Sequence, residues 1–375
     1  MSVAETQYSL ESMISDAREL VECESPSTDR SAISASANVV AGVGFAHLGV
    51  LPERIEIDGR THLKWKFGRG QTRVLILTHH DTVWPLGSLA TMPFAVTSGR
   101  MTGPGCFDMK AGIVMAFHAL ASILERDGVT MLVTGDEEIG SLSSRSLIEQ
   151  ESAGAAAALV LESAGPDGAV KTERKGASLY EILVEGRAAH AGLEPESGLN
   201  SVVELANQIR IISELGSSSL GTSVTPTMAS GGSTANTVPA SASLAVDVRA
   251  WTTDEMVRVD RALRALAPTI PGTKISTTGA IGRPPLECIA SSALFDLARS
   301  VSQRLGQDPL LSAAVGGASD GNFTAALGIP TLDGLGAVGG GAHSKDEHVL
   351  IKFLPERTSL FAELIKEILG QQPSD

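Results

Sequence analysis

The sequence predicts an α/β protein with a mostly parallel sheet, helices on both faces, and an inserted α+β domain. Two runs, "RVLILTHH" (73–80) and "VTMLVTG" (129–135), are apolar and rich in β-branched residues, as strands buried on both faces are. A helical pattern over 110–128 separates them. Strands that alternate with helices are typical of a parallel sheet covered on both sides.

The remaining elements of the larger domain follow from apolar spacing and from the residues that end each pattern. Before the insertion we predict helices at 7–22, 30–47, 110–128 (closed by Gly128) and 142–152, and strands at 73–80, 129–135 and 156–161. After it we predict helices at 291–305, 320–327 and 355–370, and strands at 309–315 and 330–335.

From about residue 176 the pattern changes to alternating strands. "ASLYEILVEGRA", "SVTPTMASGG" and "SASLAVDVRAW" predict strands, and 198–216 and 253–267 predict helices. Two helices on a four-stranded antiparallel sheet form a compact α+β unit. We therefore predict a catalytic domain in two parts, 1–175 and 284–375, with the inserted domain at 176–283.

Composition restricts the partners that this chain is expected to have. The formal net charge is −14 without any run of Lys or Arg, which argues against nucleic acid and anionic membrane surfaces. We find no apolar stretch long enough to span a bilayer and no secretory signal in the first residues. Three separate cysteines without CxxC spacing indicate reduced thiols, and we expect a cytoplasmic protein.

Potential metal ligands follow the predicted buried strands, where ligands bind in open α/β sheets. The polar residues at these positions are His79, His80 and Asp81 after the first strand, Asp136, Glu137 and Glu138 after the second, Glu162 after the third, Asp108 in "GPGCFDMK", and His343 past a glycine-rich turn. Adjacent carboxylates repel one another, so a cluster of this kind needs compensating charge. We expect these groups to meet at one edge of the sheet.

Imidazole and carboxylate ligands without a thiolate suit Zn²⁺, and less specifically Mn²⁺ or Co²⁺. Two ions about 3.5 Å apart can share a carboxylate and stabilise a hydrolytic transition state. One acidic residue that does not bind the metal can act as general base for water. The residues alone therefore favour a hydrolase that contains two divalent cations.

Two other functions are compatible with parts of the sequence. "GASDG" (317–321) fits the GxSxG pattern, and Asp333 and His343 follow Ser319 in the order of a serine hydrolase triad. That hypothesis leaves the acidic cluster at 136–138 unexplained. A non-catalytic binding relative of the fold is the other alternative, and it predicts the loss of a ligand or of the base.

Six motifs occur in the order found in a known enzyme family: "HHDTVWPLG", "GPGCFDMKAG", "GDEEIGS", "LVLE", "RAAHAG" and "GAHSKDEHV". In these motifs the chain resembles the aminoacylase/glutamate carboxypeptidase family of di-zinc hydrolases, and most of all its glucarpidase-like branch. The resemblance implies two Zn²⁺ per subunit. It also implies that metal-bound hydroxide attacks the amide carbonyl of an N-acyl amino acid or folate-like substrate.

The resemblance implies a role for each matching residue. One metal would be held by His79, Glu162 and Asp108, and the other by Glu138, His343 and the same Asp108. Asp81 would orient His79, and Glu137 would be the general base. The peptide bond between Asp108 and Met109 would be cis, as it is in this family.

The inserted domain would act as the lid and dimerisation domain of a homodimer. His190 would reach the partner's site and help to stabilise the oxyanion. Asn236 and Arg249 would bind the substrate carboxylate, with Gly317 and Ser319 as a further cradle. The released amino acid is expected to be glutamate.

Overall fold

The computed structural model of the chain describes residues 8–370. It consists of two compact units. The first unit comprises the chain up to Glu173, Glu287–Val315 and the chain from Ser319 onward. The second unit comprises Arg174–Leu286 together with Gly316–Ala318. Residue 7, where the first predicted helix begins, lies outside the described residues.

The helices are numbered in chain order. Those of the first unit are α1 (Leu10–Glu22), α2 (Arg30–Leu48), α3 (Ala111–Ser122), α4 (Arg145–Ser152), α7 (Cys288–Arg304), α8 (Gly321–Ala326) and α9 (Leu354–Gly370), and those of the second are α5 (Ser201–Ser213) and α6 (Thr253–Arg264). Side chains cap several of them. Asp29, for example, accepts hydrogen bonds from the first backbone N–H groups of α2, and Gly49 ends that helix with φ of 71°.

The strands are numbered in the same way. They are β1 (Glu53–Ile57), β2 (Arg60–Lys66), β3 (Val74–His79), β4 (Ala95–Thr97), β5 (Arg100–Thr102), β6 (Val129–Thr134), β7 (Ala157–Val160), β8 (Val170–Arg174), β9 (Gly176–Glu185), β10 (Ala189–His190), β11 (Ser223–Gly231), β12 (Thr237–Val238), β13 (Ser241–Ala250), β14 (Lys274–Arg283), β15 (Ser312–Val315), β16 (Thr331–Leu332), β17 (Gly339–Gly340) and β18 (His348–Leu350).

The main sheet of the first unit has the strand order β1-β2-β6-β3-β7-β16. Strands β6, β3, β7 and β16 run parallel, and β2 and β1 add an antiparallel edge. The predicted α/β class with a mostly parallel sheet is thus confirmed. The β1–β2 hairpin is an addition that the sequence analysis missed.

Helices cover both faces of this sheet because the side chains of its strands alternate between two buried layers. Val74 and Ile76 of β3 belong to the core that also contains residues of α1, α2, α3 and α9. Leu75 and Leu77 point into the opposite layer, with Leu147 of α4 and residues of α8. A strand buried on both faces needs the continuous apolar run that identified β3 in the sequence.

Two predictions about helices in the first unit were wrong. Helix α3 ends at Ser122 rather than near Gly128, because Ile123 turns into an extended conformation and buries its side chain. Helix α2 is long and apolar enough to cross a membrane by length and composition alone, contrary to the expectation that no such stretch exists. A helix in the core of a globular unit passes the same test, and residues of α2 such as Ile33 and Val40 are buried.

The second unit contains the predicted four-stranded antiparallel sheet, in the order β11-β13-β9-β14. Alternate residues of β9 and β13 are buried and form a core with apolar residues of α5 and α6. The fourth strand, β14, extends to Arg283, the last residue of the predicted inserted domain. At the ends of the insertion, Arg174 and Leu286 exchange both backbone hydrogen bonds, with N···O distances of 2.9 and 3.0 Å.

Candidate metal centre

Three parallel strands bring potential metal ligands to one edge of the main sheet. His79 is the last residue of β3. Glu137 and Glu138 begin the short turn of 3₁₀ helix that follows β6, and Glu162 lies two residues beyond the end of β7. Because β3, β6 and β7 run in the same direction, their carboxyl ends lie side by side. These residues thus meet for the topological reason expected from the sequence.

Asp108 lies between two histidines and presents one carboxylate oxygen to each. Its Oδ1 is 3.5 Å from His79 Nε2, and its Oδ2 is 3.4 Å from His343 Nε2. The residue sits in the helical turn Cys106–Lys110, and the Asp108–Met109 peptide bond is cis, as expected. A carboxylate shared between two imidazole nitrogens in this way has the arrangement that a bridging ligand of two cations requires.

Each histidine also has a second carboxylate of its own. Glu162 Oε1 lies 3.2 Å from His79 Nε2, and Glu138 Oε2 lies 3.2 Å from His343 Nε2. The side chains of His79 and Glu162 are buried, whereas that of His343 is half exposed. The five residues therefore form two ligand groups, each with one imidazole and one carboxylate, joined by Asp108.

The orientation of His79 shows that the centre fits a metal ion. Its Nδ1 lies 3.0 Å from the backbone oxygen of Asp81, and since a carbonyl oxygen only accepts, Nδ1 carries the proton. In the neutral ring, Nε2 then presents a lone pair to the carboxylate oxygens around it. This nitrogen is buried and makes no hydrogen bond among residues 8–370. A cation between these atoms would satisfy both the nitrogen and the oxygens.

Electrostatics of the centre favour bound positive charge. Asp108 and then Glu138 raise the pKa of His343 to about 10, although partial burial opposes the shift. Burial raises the pKa of Glu138, and the neighbouring histidine counteracts this effect only in part. A group of buried carboxylates that recruits protons in this way also attracts divalent cations, which compete for the same atoms.

Asp81 is fully buried beneath His79 and holds the following acidic turn in place. Its Oδ1 accepts the backbone N–H of Glu137 and its Oδ2 that of Glu138, both at 3.1 Å. The hydroxyl of Ser27 donates to Oδ2 at 2.7 Å. Besides lying 3.4 Å from His79 Nδ1, Asp81 thus fixes the backbone of two other residues of the centre.

The three adjacent acids after β6 face different surroundings. Asp136 is a structural residue, because its carboxylate accepts hydrogen bonds from the backbone N–H and the hydroxyl of both Ser143 and Ser144. Glu138 faces His343. Glu137 is buried, and one of its carboxylate oxygens lies within 4.8 Å of potential ligand atoms of His79 and Glu162. The three carboxylates point to different groups, which reduces the electrostatic repulsion among them.

Glu347 is a residue of the centre that the sequence analysis missed. It is fully buried and clamps the turn that carries Asp108. Its Oε1 accepts the backbone N–H groups of Phe107 and Asp108 at 2.9 and 3.1 Å, and its Oε2 accepts that of Gly105 and the indole N–H of Trp84 at 3.0 and 2.8 Å. The motif "GAHSKDEHV" contains this residue, but its sequence gave no sign of the four donors.

Two predicted residues of the second unit, His190 and Asn236, lie close together. Strand β10 pairs with β12, and the backbone N–H of Ala191 donates to the backbone oxygen of Asn236 at 2.9 Å. Both His190 and Asn236 are exposed. The backbone N–H groups of Gly192 and Leu193 donate to His190 Nδ1, each at 3.1 Å. Its Nε2 consequently carries the proton in the neutral ring and is a donor.

Arg249 and Gly317 also belong to the second unit. The guanidinium group of Arg249 is paired with the carboxylate of Asp247, with Nε–Oδ1 and Nη2–Oδ2 distances of 3.0 Å. A substrate carboxylate would therefore share or replace Asp247. Gly317 is exposed, and its backbone oxygen accepts a hydrogen bond from Arg174 Nη1 at 3.0 Å.

The structure argues against both roles considered for Ser319. Its side chain is fully buried, its hydroxyl donates to Asp333, and its Oγ accepts the backbone N–H of Gly321. The nucleophile of a serine hydrolase needs a histidine partner and access to substrate. The Ser319 hydroxyl is buried and hydrogen-bonded within the protein, so it is also not accessible to a substrate carboxylate.

Comparison with known proteins identifies the family. The model of peptidase family M20/M25/M40 matches residues 75–367, which include the five potential ligands. The chain belongs to peptidase family M20/M25/M40. The family assigned from the sequence motifs is thus confirmed.

Curated relatives and a solved structure give this membership more detail. The chain is 32% identical to carboxypeptidase G2 of Pseudomonas sp. (strain RS-16) over 312 residues, covering 80% of this chain and 75% of the relative. It is 25% identical to the succinyl-diaminopimelate desuccinylase of Rhodospirillum centenum (strain ATCC 51521 / SW) over 387 residues, covering 95% and 97%. The Bacillus subtilis YXEP protein, described as a dinuclear metal binding peptidase from the M20 family, superposes with a TM-score of 0.67 at 16% identity, covering 97% and 99%.

Membership of the M20 family makes this chain a metal-dependent hydrolase of amide bonds. The YXEP protein is described as binding a dinuclear metal centre. In this chain, residues at the strand ends form candidate ligand groups for metal ions. The non-catalytic alternative has no support in the centre, since neither a ligand nor the acidic residue beside the ligands has been lost.

Proposed function

We propose that the chain is a di-zinc amidohydrolase that releases a C-terminal amino acid from N-acyl amino acids. The observation that carries the proposal is the position of Asp108. It faces His79 with one oxygen and His343 with the other, while Glu162 and Glu138 complete the two groups. Two donor groups that share one carboxylate are suited to hydrolysis assisted by two metal ions.

The ligand set supports zinc as the native metal. Imidazole nitrogen and carboxylate oxygen are ordinary Zn²⁺ ligands, and Co²⁺ or Mn²⁺ are chemically acceptable replacements. Bound at this centre, the two ions would lower the pKa of water and polarise the substrate carbonyl. We assign His79, Asp108 and Glu162 to one ion, and Asp108, Glu138 and His343 to the other.

Glu137 is proposed as the general base. It is buried next to the ligands, and Asp81 fixes its backbone. In this role its carboxylate accepts a proton from the attacking water and delivers it to the nitrogen of the leaving amine. Asp81 contributes indirectly, because it holds both the ring of His79 and the turn of Glu137.

Residues of the second unit are proposed to bind the substrate. The Nε2–H group of His190 is the donor available to stabilise the developing charge on the carbonyl oxygen, in the site of the second subunit of a homodimer. Arg249, with Asn236 and Gly317, is assigned to the α-carboxylate of the leaving amino acid. The planar guanidinium group can bind a carboxylate with two parallel hydrogen bonds.

Glutamate is our first choice for the released amino acid, and it rests on the resemblance of the sequence motifs to the glucarpidase-like branch; the similarity to carboxypeptidase G2 supports release of a C-terminal residue. The name of the second relative describes removal of a succinyl group, so the acyl half must be tested separately. The chain has a formal net charge of −14, so its overall electrostatic field repels an anionic substrate. Binding of such a substrate therefore depends on positive charges within the site. We place this activity in the cytoplasm, with no nucleic-acid or membrane partner.

A substrate screen combined with chelation tests the proposal. N-acyl amino acids are assayed with the acyl group and the amino acid varied independently, before and after removal of metals with a chelator. We expect release of the free amino acid, loss of activity on chelation, and recovery with Zn²⁺. Activity that persists in the metal-free protein, or that is absent with every N-acyl amino acid at full metal occupancy, would refute the proposal.

A further inference from the structure

A second group of potential metal ligands lies outside the catalytic centre, where three helices of the first unit meet. Asp16 is in α1, His47 in the last turn of α2, and His118 in α3. The Nε2 atoms of the two histidines lie 2.8 and 2.7 Å from the same carboxylate oxygen, Oδ2 of Asp16. None of these residues belongs to the motifs that define the catalytic centre.

The convergence of three donor atoms on one point is the central observation. Potential ligand atoms of Asp16, His47 and His118 all lie within 4.8 Å of one another. The two imidazole rings are in contact, with centroids 4.2 Å apart and their planes tilted by 47°. If the two histidines only formed hydrogen bonds with Asp16, each ring could use a different oxygen atom, because a carboxylate has two. Instead, both rings approach the same oxygen.

We propose that Asp16, His47 and His118 bind a third divalent cation, with Zn²⁺ as the preferred ion. Two imidazoles and one carboxylate are a ligand set that zinc accepts in proteins, and water completes four-coordination. The side chains of Asp16 and His47 are 16% and 19% exposed, so the group opens to solvent on one side. An ion can enter there and keep a water ligand.

The geometry needs only a small adjustment. Zinc ligands at about 2.0–2.1 Å in a tetrahedral arrangement are about 3.3 Å apart, against 2.7 and 2.8 Å for the present contacts. An opening of roughly half an ångström is within the reach of side-chain rotation. In each neutral ring the proton moves from Nε2 to Nδ1, and Nε2 then donates its lone pair to the ion. Among residues 8–370, neither Nδ1 has a hydrogen-bond partner that would oppose this exchange.

The helices that carry the three ligands are fixed by the core, which limits the entropy lost on binding. Met13 and Ala17 of α1, Val43 of α2 and Met115 of α3 are buried in the same cluster. The ion would join positions 16 and 118 of the chain, far apart in sequence. We therefore expect bound Zn²⁺ to raise the stability of the first unit, an effect that can be measured without an activity assay.

Zinc stoichiometry of the full chain tests the proposal. Wild-type protein equilibrated with buffered Zn²⁺ is expected to hold three ions, and His47→Gln/His118→Gln two. Each glutamine can still donate an N–H group to Asp16, which preserves the contact between the helices. The matched control, His190→Gln, removes an exposed histidine of the second unit and is expected to leave the zinc content unchanged.

A second background separates this site from the catalytic centre. In His79→Gln/His343→Gln, Zn²⁺ is expected to raise the unfolding temperature, and the added changes at His47 and His118 should abolish that rise. This readout does not depend on activity or on the proposed function. Equal zinc content in wild-type protein and the His47/His118 variant, or an unfolding temperature in the second background that Zn²⁺ does not change, would overturn the third site.

Discussion

Substitution of Glu347 by Gln should disturb the metal centre without removing any ligand. The carboxylate of Glu347 accepts four hydrogen bonds, two on each oxygen, and three of the donors are backbone N–H groups of the turn that carries Asp108. In Glu347→Gln one oxygen becomes an NH₂ group, which cannot accept. Whichever way the amide turns, one buried backbone N–H group and one partly buried donor are left facing it.

The size of the effect follows from this count. A hydrogen bond to a charged group contributes about 1.5–3 kcal/mol, so two lost bonds should reduce the free energy of unfolding by about 3–6 kcal/mol. Residues that orient metal ligands typically change metal affinity by about 10–100-fold when they are substituted. Trp84→Phe removes only the indole donor and should have the smaller effect, about 1.5–3 kcal/mol for one lost bond.

Three measurements check this reasoning: urea unfolding, zinc affinity by competition with a chelating dye, and kcat/KM at saturating Zn²⁺. Saturating metal should restore part of the lost activity in Glu347→Gln, because the ligands themselves remain. The control is Glu22→Gln, which removes the same charge from an exposed pair with Arg18. The reasoning fails if Glu347→Gln matches Glu22→Gln in both stability and zinc affinity.

Further predictions concern the base, one ligand and one ion pair of the second unit. Glu137→Ala should keep both catalytic metals and lose about three orders of magnitude in turnover, as expected for a general base, and a near-normal rate would exclude that role. His343→Ala should contain one catalytic ion fewer by elemental analysis, and full occupancy would contradict its assignment as a ligand. In the second unit, Arg258 and then Thr222 lower the pKa of Glu255 from 4.5 to about 2. Because the pKa is lower in the folded state, the stability that ionised Glu255 provides is present above pH 4.5 and is lost as the pH falls toward 2. Glu255→Gln should therefore be less stable than wild-type protein at pH 7, with a difference in urea unfolding that shrinks below pH 4.5; a difference that does not change with pH would disprove this linkage.

The elements that determine the position of the centre were predictable because burial on both faces leaves a clear pattern in the sequence. The runs at 73–80 and 129–135 became β3 and β6, and the polar residues after them meet as parallel strand ends must. The hairpin of β1 and β2 was missed because β1 is largely exposed and its sequence, "ERIEI", has only two apolar residues. An edge strand with one solvated side gives a weak signal.

Residues whose function depends on distant donors could not be identified from the sequence. Glu347 is an acid within a charged segment, and only the folded chain brings the N–H groups of residues 105–108 to it. Asp136 and Glu138 have similar sequence surroundings but different partners, two serines in one case and a histidine in the other. Motif order identified the family and implied separate roles for Glu137 and Glu138, whereas the structural role of Asp136 required coordinates.

The inserted position of the second unit has a consequence for the order in which the protein folds during synthesis. Arg174 and Leu286 are hydrogen-bonded to each other, so the inserted segment begins and ends at the same place in the structure. Strand β16, which completes the main sheet beside β7, is translated only after residues 174–286 have been synthesised. Until then, the nascent first unit lacks an edge of its sheet as well as His343. If the second unit folds independently during this interval, it buries its own apolar residues. Those residues then cannot pair with or cover the exposed edge of the incomplete main sheet.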